Sequence, residues 1–124
     1  MKIINLTPHD IVIRSDESNE LAILESDRVF KSAGRGFITT KAETSLDAVD
    51  GIPCVQIEYG EIEGLAEPTA DTIFIVSMPT AQYLAAQGRS EDIRYPDTGK
   101  PQFCVRTEKG LPFATRRLLK AKVR

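Results

Sequence analysis

Apolar and polar positions alternate along most of this chain, and the alternation predicts strands far more often than helices. Near the start, Lys2–Leu6 and Asp10–Arg14 read as two extended runs; in the second, Ile11 and Ile13 share a side while Val12 faces the other way. Thr7-Pro8-His9-Asp10 lies between them and suits a turn with Pro8 at its second position, where the fixed φ already fits. A hairpin is therefore expected. Residues 15–20 (SDESNE) make a polar turn, and 20–26 (ELAILES) read as a further strand. Gly34-Arg35-Gly36 is a flexible point before an extended FITT at 37–40, and 43–50 (ETSLDAVD) has the length of a single helical turn.

The second half is more sharply patterned. Val55, Ile57 and Tyr59 alternate with Cys54, Gln56 and Glu58, the signature of a half-buried strand, and Gly60 permits a turn or a bulge beyond it. Four consecutive apolar residues, Ile73 to Val76, predict a central strand buried on both faces. MPTAQYLAAQGR (78–89) is the clearest helix. Ser77 stands at the N-cap, Pro79 in the first turn and Gly88 at the C-terminal stop. After a turn-rich loop at 90–100, QFCVRT and LPFATRRLL flank Glu108-Lys109-Gly110, which reads as a final hairpin, with Pro112 needing an edge position. A C-terminal helix over 113–122 competes with that reading. The sum is one α+β domain spanning residues 1–124: a mainly-β mixed or curled sheet of six to eight short strands with one principal helix.

Composition changes this picture little. At 41% hydrophobic and 27% charged, the chain is ordinary globular material. No apolar run reaches membrane-spanning length and no signal peptide is visible, so a cytoplasmic protein is expected. Cys54 and Cys104 sit in apolar strand-like runs and are expected to be free, buried thiols; no cluster suits a metal, and no cofactor is expected. Charge is unevenly divided. Residues 1–64 net −6 and residues 65–124 net +4, and the last ten residues hold five positive charges and no negative one. That tail suits phosphates or an acidic partner, or else is a solvated strand and frayed terminus, and the basic excess is too small for a dedicated nucleic-acid binder.

INLTPHDIVI (4–13), YGEIEGL (59–65), EPTADTIFIVS (67–77) and GRSEDIRYPDTG (88–99) resemble a family of small bacteriophage and prophage proteins that begin with an Asn-Leu-Thr-Pro-His stretch. The resemblance covers most of the chain. It implies a setting, an accessory protein in the cytoplasm of the host cell, rather than a reaction. Small phage proteins of this size often blunt host defences, some by sequestering nucleotide signals.

Candidate chemistry points toward binding. His9 is the only histidine, and no nucleophile elbow or phosphate loop accompanies it. Asn5, Thr7 and His9 alternate with Leu6 and Pro8, so an extended backbone would turn them to one side as a polar patch for a base or ribose edge. The alternative makes His9 a simple turn residue. Ser77 and Thr80 mark a helix start suited to an anion, or merely a capped one. Arg89 and Arg94 could fork onto phosphate, Tyr95 could stack on a base, and Asp97 could accept from a ribose hydroxyl; alternatively the arginines pair with Glu91 and Asp92. Isolated Arg28 and Arg35, and the cluster Glu58, Glu61 and Glu63, read as surface. The leading expectation is a non-enzymatic protein that binds a small anionic, nucleotide-like ligand at the junction of a homo-oligomer. The others are an inhibitor engaging a host protein through a strand edge or the basic C-terminal hairpin, and a small nucleotide-acting enzyme using carboxylates.

Overall fold

The apolar run at 73–76 organises the structure. In a computed structural model, which describes residues 1–123, strand β6 (Thr72–Ile75) lies parallel to β1 (Lys2–Asn5) on one side and to β7 (Ile93–Pro96) on the other. Phe74, Ile75 and Val76 are buried, as a strand covered on both faces requires. β10 (Leu118–Leu119) adds to β7 antiparallel, completing a mixed sheet in the order β1-β6-β7-β10. A second sheet has the order β3-β2-β9-β8, from β3 (Arg28–Phe30), β2 (Ile11–Ile13), β9 (Pro112–Thr115) and β8 (Cys104–Arg106). The remaining pair, β4 (Phe37–Val49) and β5 (Ile52–Glu63), forms a ribbon of its own. The α+β class with one principal helix holds; among the described residues the strands number ten, because several are only two to four residues long.

Helix α1 (Met78–Ala86) starts and stops where the sequence indicates. Ser77 has extended N-cap dihedrals, although its hydroxyl meets the Thr80 hydroxyl at 3.0 Å rather than a backbone N–H. At the other end Gly88 takes φ +92°, and the N–H groups of Gly88 and Arg89 return to the carbonyls of Ala85 and Leu84. That reciprocal pair of bonds satisfies the last carbonyls, and the left-handed residue in it favours glycine. The helix lays Ala81 and Leu84 against Leu6, Phe74, Val76 and Ile93 to form the main core. A smaller cluster of Val12, Val105 and Ala114 lies within the second sheet.

Several expectations are corrected. Lys2–Leu6 and Asp10–Arg14 do not form a hairpin: β1 belongs to the first sheet and β2 to the second, and residues 7–10 cross between them. Residues 20–26 are not a strand, because the carbonyls of Glu20 and Ala22 turn onto the guanidinium of Arg14. Residues 43–49 are strand, held by pairing with β5, and Asp50 opens the turn at its end, so no helical turn forms over 43–50. The competing helix over 113–122 is absent, as β9 and β10 occupy half of that stretch and the rest is irregular. The hairpin around Gly110 (φ +79°) is present, and Pro112 sits at the first residue of β9, opposite a register shift, where no ladder donor is missed.

Cys104 is buried as expected, and burial pushes its thiol above the usual range; Cys54, on the ribbon, is only half-buried. A thiol reagent under native conditions is therefore expected to modify Cys54 and spare Cys104, with both reacting once the chain is denatured. Equal native reactivity would contradict this packing.

Candidate functional site

The three parallel strands β1, β6 and β7 run the same way, so Asn5, Ile75 and Pro96 end at one edge of the sheet. Open sheets of parallel strands present their binding crevices at that edge, where the chain leaves for the next element. Here it leaves into Leu6–Asp10, into Ser77 and the start of α1, and into Asp97–Gly99. A cleft of about 470 Å³ opens between these segments and residues 112–115 of the second sheet. Its walls are largely apolar, with Pro8, Met78, Pro79, Pro96, Pro112 and Phe113 contributing.

The polar residues singled out from the sequence are distributed unevenly around this cleft. Asn5 and Thr7 are buried and spend their side chains internally. Asn5 Nδ2 donates to the carbonyls of His9 (2.8 Å) and Phe30 (2.9 Å), and Asn5 Oδ1 accepts the Thr7 N–H at 2.9 Å. Thr7 Oγ1 lies 2.6 Å from Asn5 Oδ1 and 2.8 Å from the His9 carbonyl, so its single proton serves two acceptors. Asn5 thus fixes the loop that carries His9 by its main chain, leaving the imidazole exposed at the cleft mouth. Ser77 is exposed and lines the cleft, whereas Thr80 is buried behind it. Pro79 has no N–H, so the first turn of α1 offers only the donors of Met78 and Thr80 beyond its internal bonds.

The arginines lie elsewhere. Arg89 forks onto Asp92 at 2.8 and 3.2 Å, also donates to the Ala66 carbonyl, and rests over the Phe74 ring. Arg94 Nη1 donates to the carbonyls of Ser90, Glu91 and Ile93. Tyr95 faces a different groove, between α1 and the C-terminal segment. Asp97 is buried and bound by Arg117 Nε at 2.7 Å; burial pushes its carboxyl up, but the bonds from Arg117 and the Gly99 N–H outweigh that and hold it below the usual range. The structure therefore gathers Thr7, His9 and Ser77 at one cleft and does not bring Arg89, Arg94, Tyr95 or Asp97 into it. Glu58, Glu61 and Glu63 stay exposed along β5.

Three residues of the cleft escaped the sequence reading. Met78 and Phe113 looked like ordinary helix and strand residues. Asp10 looked like the end of a turn; its carboxyl accepts the Ser32 N–H at 2.9 Å and Lys31 Nζ at 3.2 Å, in that order the causes that keep it below the usual carboxylate range. The cleft rim is thus furnished with a carboxylate, an imidazole and a hydroxyl, and its lining includes neither lysine nor arginine.

Fold and cleft together define the class: an α+β protein with an apolar recess at the carboxyl edge of a mixed sheet. No family model matches the chain, and neither a curated protein nor a solved structure shows significant similarity to it. Among the described residues no helix is long and apolar enough to cross a membrane, and no group of three or more His, Cys, Asp and Glu side chains is placed to hold a metal ion.

Proposed function

We propose that this protein is a non-catalytic binder of a small ligand with a flat, weakly polar body and one anionic end, a nucleotide-like molecule. The observation that supports this most is the position of the cleft, at the carboxyl ends of three parallel strands and beside the first turn of α1. Its volume falls within the range of small-molecule sites. Proline rings, Met78 and Phe113 suit the face of a base, and Asp10 suits a ribose hydroxyl or an exocyclic N–H. The Met78 donor carries the helix's partial positive charge toward one anionic group. Without a basic side chain in the lining, a polyphosphate is a poor occupant. His9 contributes an adjustable donor or acceptor at the mouth. In the phage setting that the sequence resemblance implies, such a site would sequester a nucleotide signal of the host.

Calorimetric titration with a panel of nucleosides and nucleoside monophosphates tests this reading. A monophosphate is expected to bind more tightly than its nucleoside. Ser77→Trp, which fills the cleft mouth from an exposed position, is expected to abolish binding, and His9→Ala to weaken it by about threefold to tenfold. Absence of heat with every member, or binding untouched by Ser77→Trp, would overturn the proposal.

A further inference from the structure

The β4–β5 ribbon stands apart from both sheets. Its two strands pair with each other and with neither sheet, and every residue from 41 to 53 is exposed. Only the root is fastened: Ile62 packs on the main core, and the Tyr83 hydroxyl donates to the carbonyls of Gly60 (2.7 Å) and Tyr59 (3.2 Å). The free part nonetheless carries the sequence of a covered strand. Val55, Ile57 and Tyr59 lie on one side of β5, and at the tip Val49 and Ile52 are 64% and 63% exposed, with Leu46 nearby at 51%. A lone two-stranded ribbon is marginal in water, and long open edges invite another chain.

Charge indicates which chain. Residues 37–63 hold one lysine and six acidic side chains, a net of −5, which leaves +3 for the rest of a chain whose total is −2. On the positive body, α1 and the C-terminal segment bound a groove of about 620 Å³, floored by Ala85, Ala86 and Ala121 and rimmed by Lys120 and Lys122. The ribbon tip is its complement, with Leu46, Val49 and Ile52 flanked by Asp47 and Asp50. Intramolecular docking is ruled out by reach. The ribbon is fastened to α1 at Gly60, and at about 3.3 Å per residue its Asp50-Gly51 tip projects roughly 30 Å from that helix. Lys120 is held by Glu91 at 2.7 Å, but Glu91 is 90% exposed and such a pair is readily exchanged.

We infer that the β4–β5 ribbon is an assembly arm whose tip docks in the lysine-rimmed groove of a second copy of this chain. Reciprocal exchange of arms closes a dimer, and a head-to-tail exchange closes a ring. The inference is independent of the ligand cleft, which the arm does not line.

Light scattering coupled to size exclusion, with native mass spectrometry of the full chain, tests it. The wild-type protein is expected to be oligomeric and to dissociate as salt is raised. Leu46→Asp with Ile52→Asp is expected to give a monomer with unchanged far-UV circular dichroism. Lys120→Glu with Lys122→Glu is expected to weaken assembly by about tenfold or more, and adding Asp47→Lys to restore it. Should the tip variant lose its folded spectrum, the lysine variant and its rescue carry the test alone. A wild-type monomer, assembly indifferent to the lysine reversal, or an arm that engages only a foreign protein would each overturn the inference.

Discussion

Replacing Arg14 by methionine is expected to lower stability by about 3–5 kcal/mol, the range for breaking a buried ion pair from one side. Arg14 and Asp27 have fully buried side chains, 2.9 Å apart. The guanidinium has five N–H donors, and five bonds use them: Nε and Nη2 to the two Asp27 oxygens, Nη1 to the carbonyls of Ser18 and Glu20, and Nη2 to that of Ala22. Methionine replaces the aliphatic stem but would leave the buried carboxylate without its cation and the Glu20 and Ala22 carbonyls without a partner, while that of Ser18 keeps Arg116 Nη2 at 2.9 Å. These carbonyls belong to a segment with no regular structure, residues 15–27, so the loss falls on the whole loop. Thermal unfolding should record a drop of roughly 10–20 °C for a chain of this size. A change of only a degree or two would show that the loop holds itself without Arg14.

The same pair sets the acid limit. The hydrogen bonds from Arg14, and then from the Leu24 N–H, hold the Asp27 carboxyl below the usual carboxylate range. As pH falls the unfolded chain therefore binds the proton first, and stability declines. The contribution is complete above about pH 4, the ordinary value for an aspartate, and is lost as pH falls through the lower folded value. Asp97, held down by Arg117, follows the same course. Denaturant midpoints should be flat from neutrality to about pH 5 and fall below pH 4; Arg14→Met should remove much of that dependence.

Arg14 also marks the boundary of what the sequence could disclose. Where a signal is local, it was legible. The apolar run at 73–76 needed no partner to announce a buried strand, Pro79 and Gly88 bracket α1 by their own dihedral limits, and Gly110 turns the last hairpin. Where pairing is distant, it was not. β1 and β2 look like neighbours in a hairpin, yet β1 pairs with residues about 70 positions away, and two adjacent apolar runs carry no mark of which sheet will take them. The Asp50-Gly51 turn carries a local signal that the expected helical turn over 43–50 overlooks: both residues have positive φ, +49° and +78°, and Asp-Gly is a strong hairpin dipeptide. The candidate site was legible by segment and not by side chain. The Thr7–Asp10 loop and the start of α1 do meet. Asn5, Arg89 and Asp97, chosen as ligand contacts, instead bind the protein's own backbone and charges, because a small domain must satisfy its buried polar groups first.

Gly64→Ala is the second substitution expected to be severe. Gly64 follows β5 directly and takes φ +82°, and a Cβ there would stand 2.3 Å from the Arg35 carbonyl oxygen. That oxygen is backbone and not the end of a flexible side chain, so one of the two backbones must move. Gly51, at the far end of the same ribbon, has nearly the same dihedral (φ +78°) but nothing within 4 Å. The comparison separates the two costs of an added methyl. Gly51→Ala bears only the left-handed backbone, about 1 kcal/mol. Gly64→Ala bears that and the clash, about 2–4 kcal/mol, and the displaced segments are the entry and exit of the ribbon. Loss of stability should therefore come with a loosened ribbon root, read as faster amide exchange at Ile38, which pairs with Ile62. If the two alanine variants melt together, the close approach of Gly64 to Arg35 does not fasten the ribbon, and Tyr83 and Ile62 must hold its root alone.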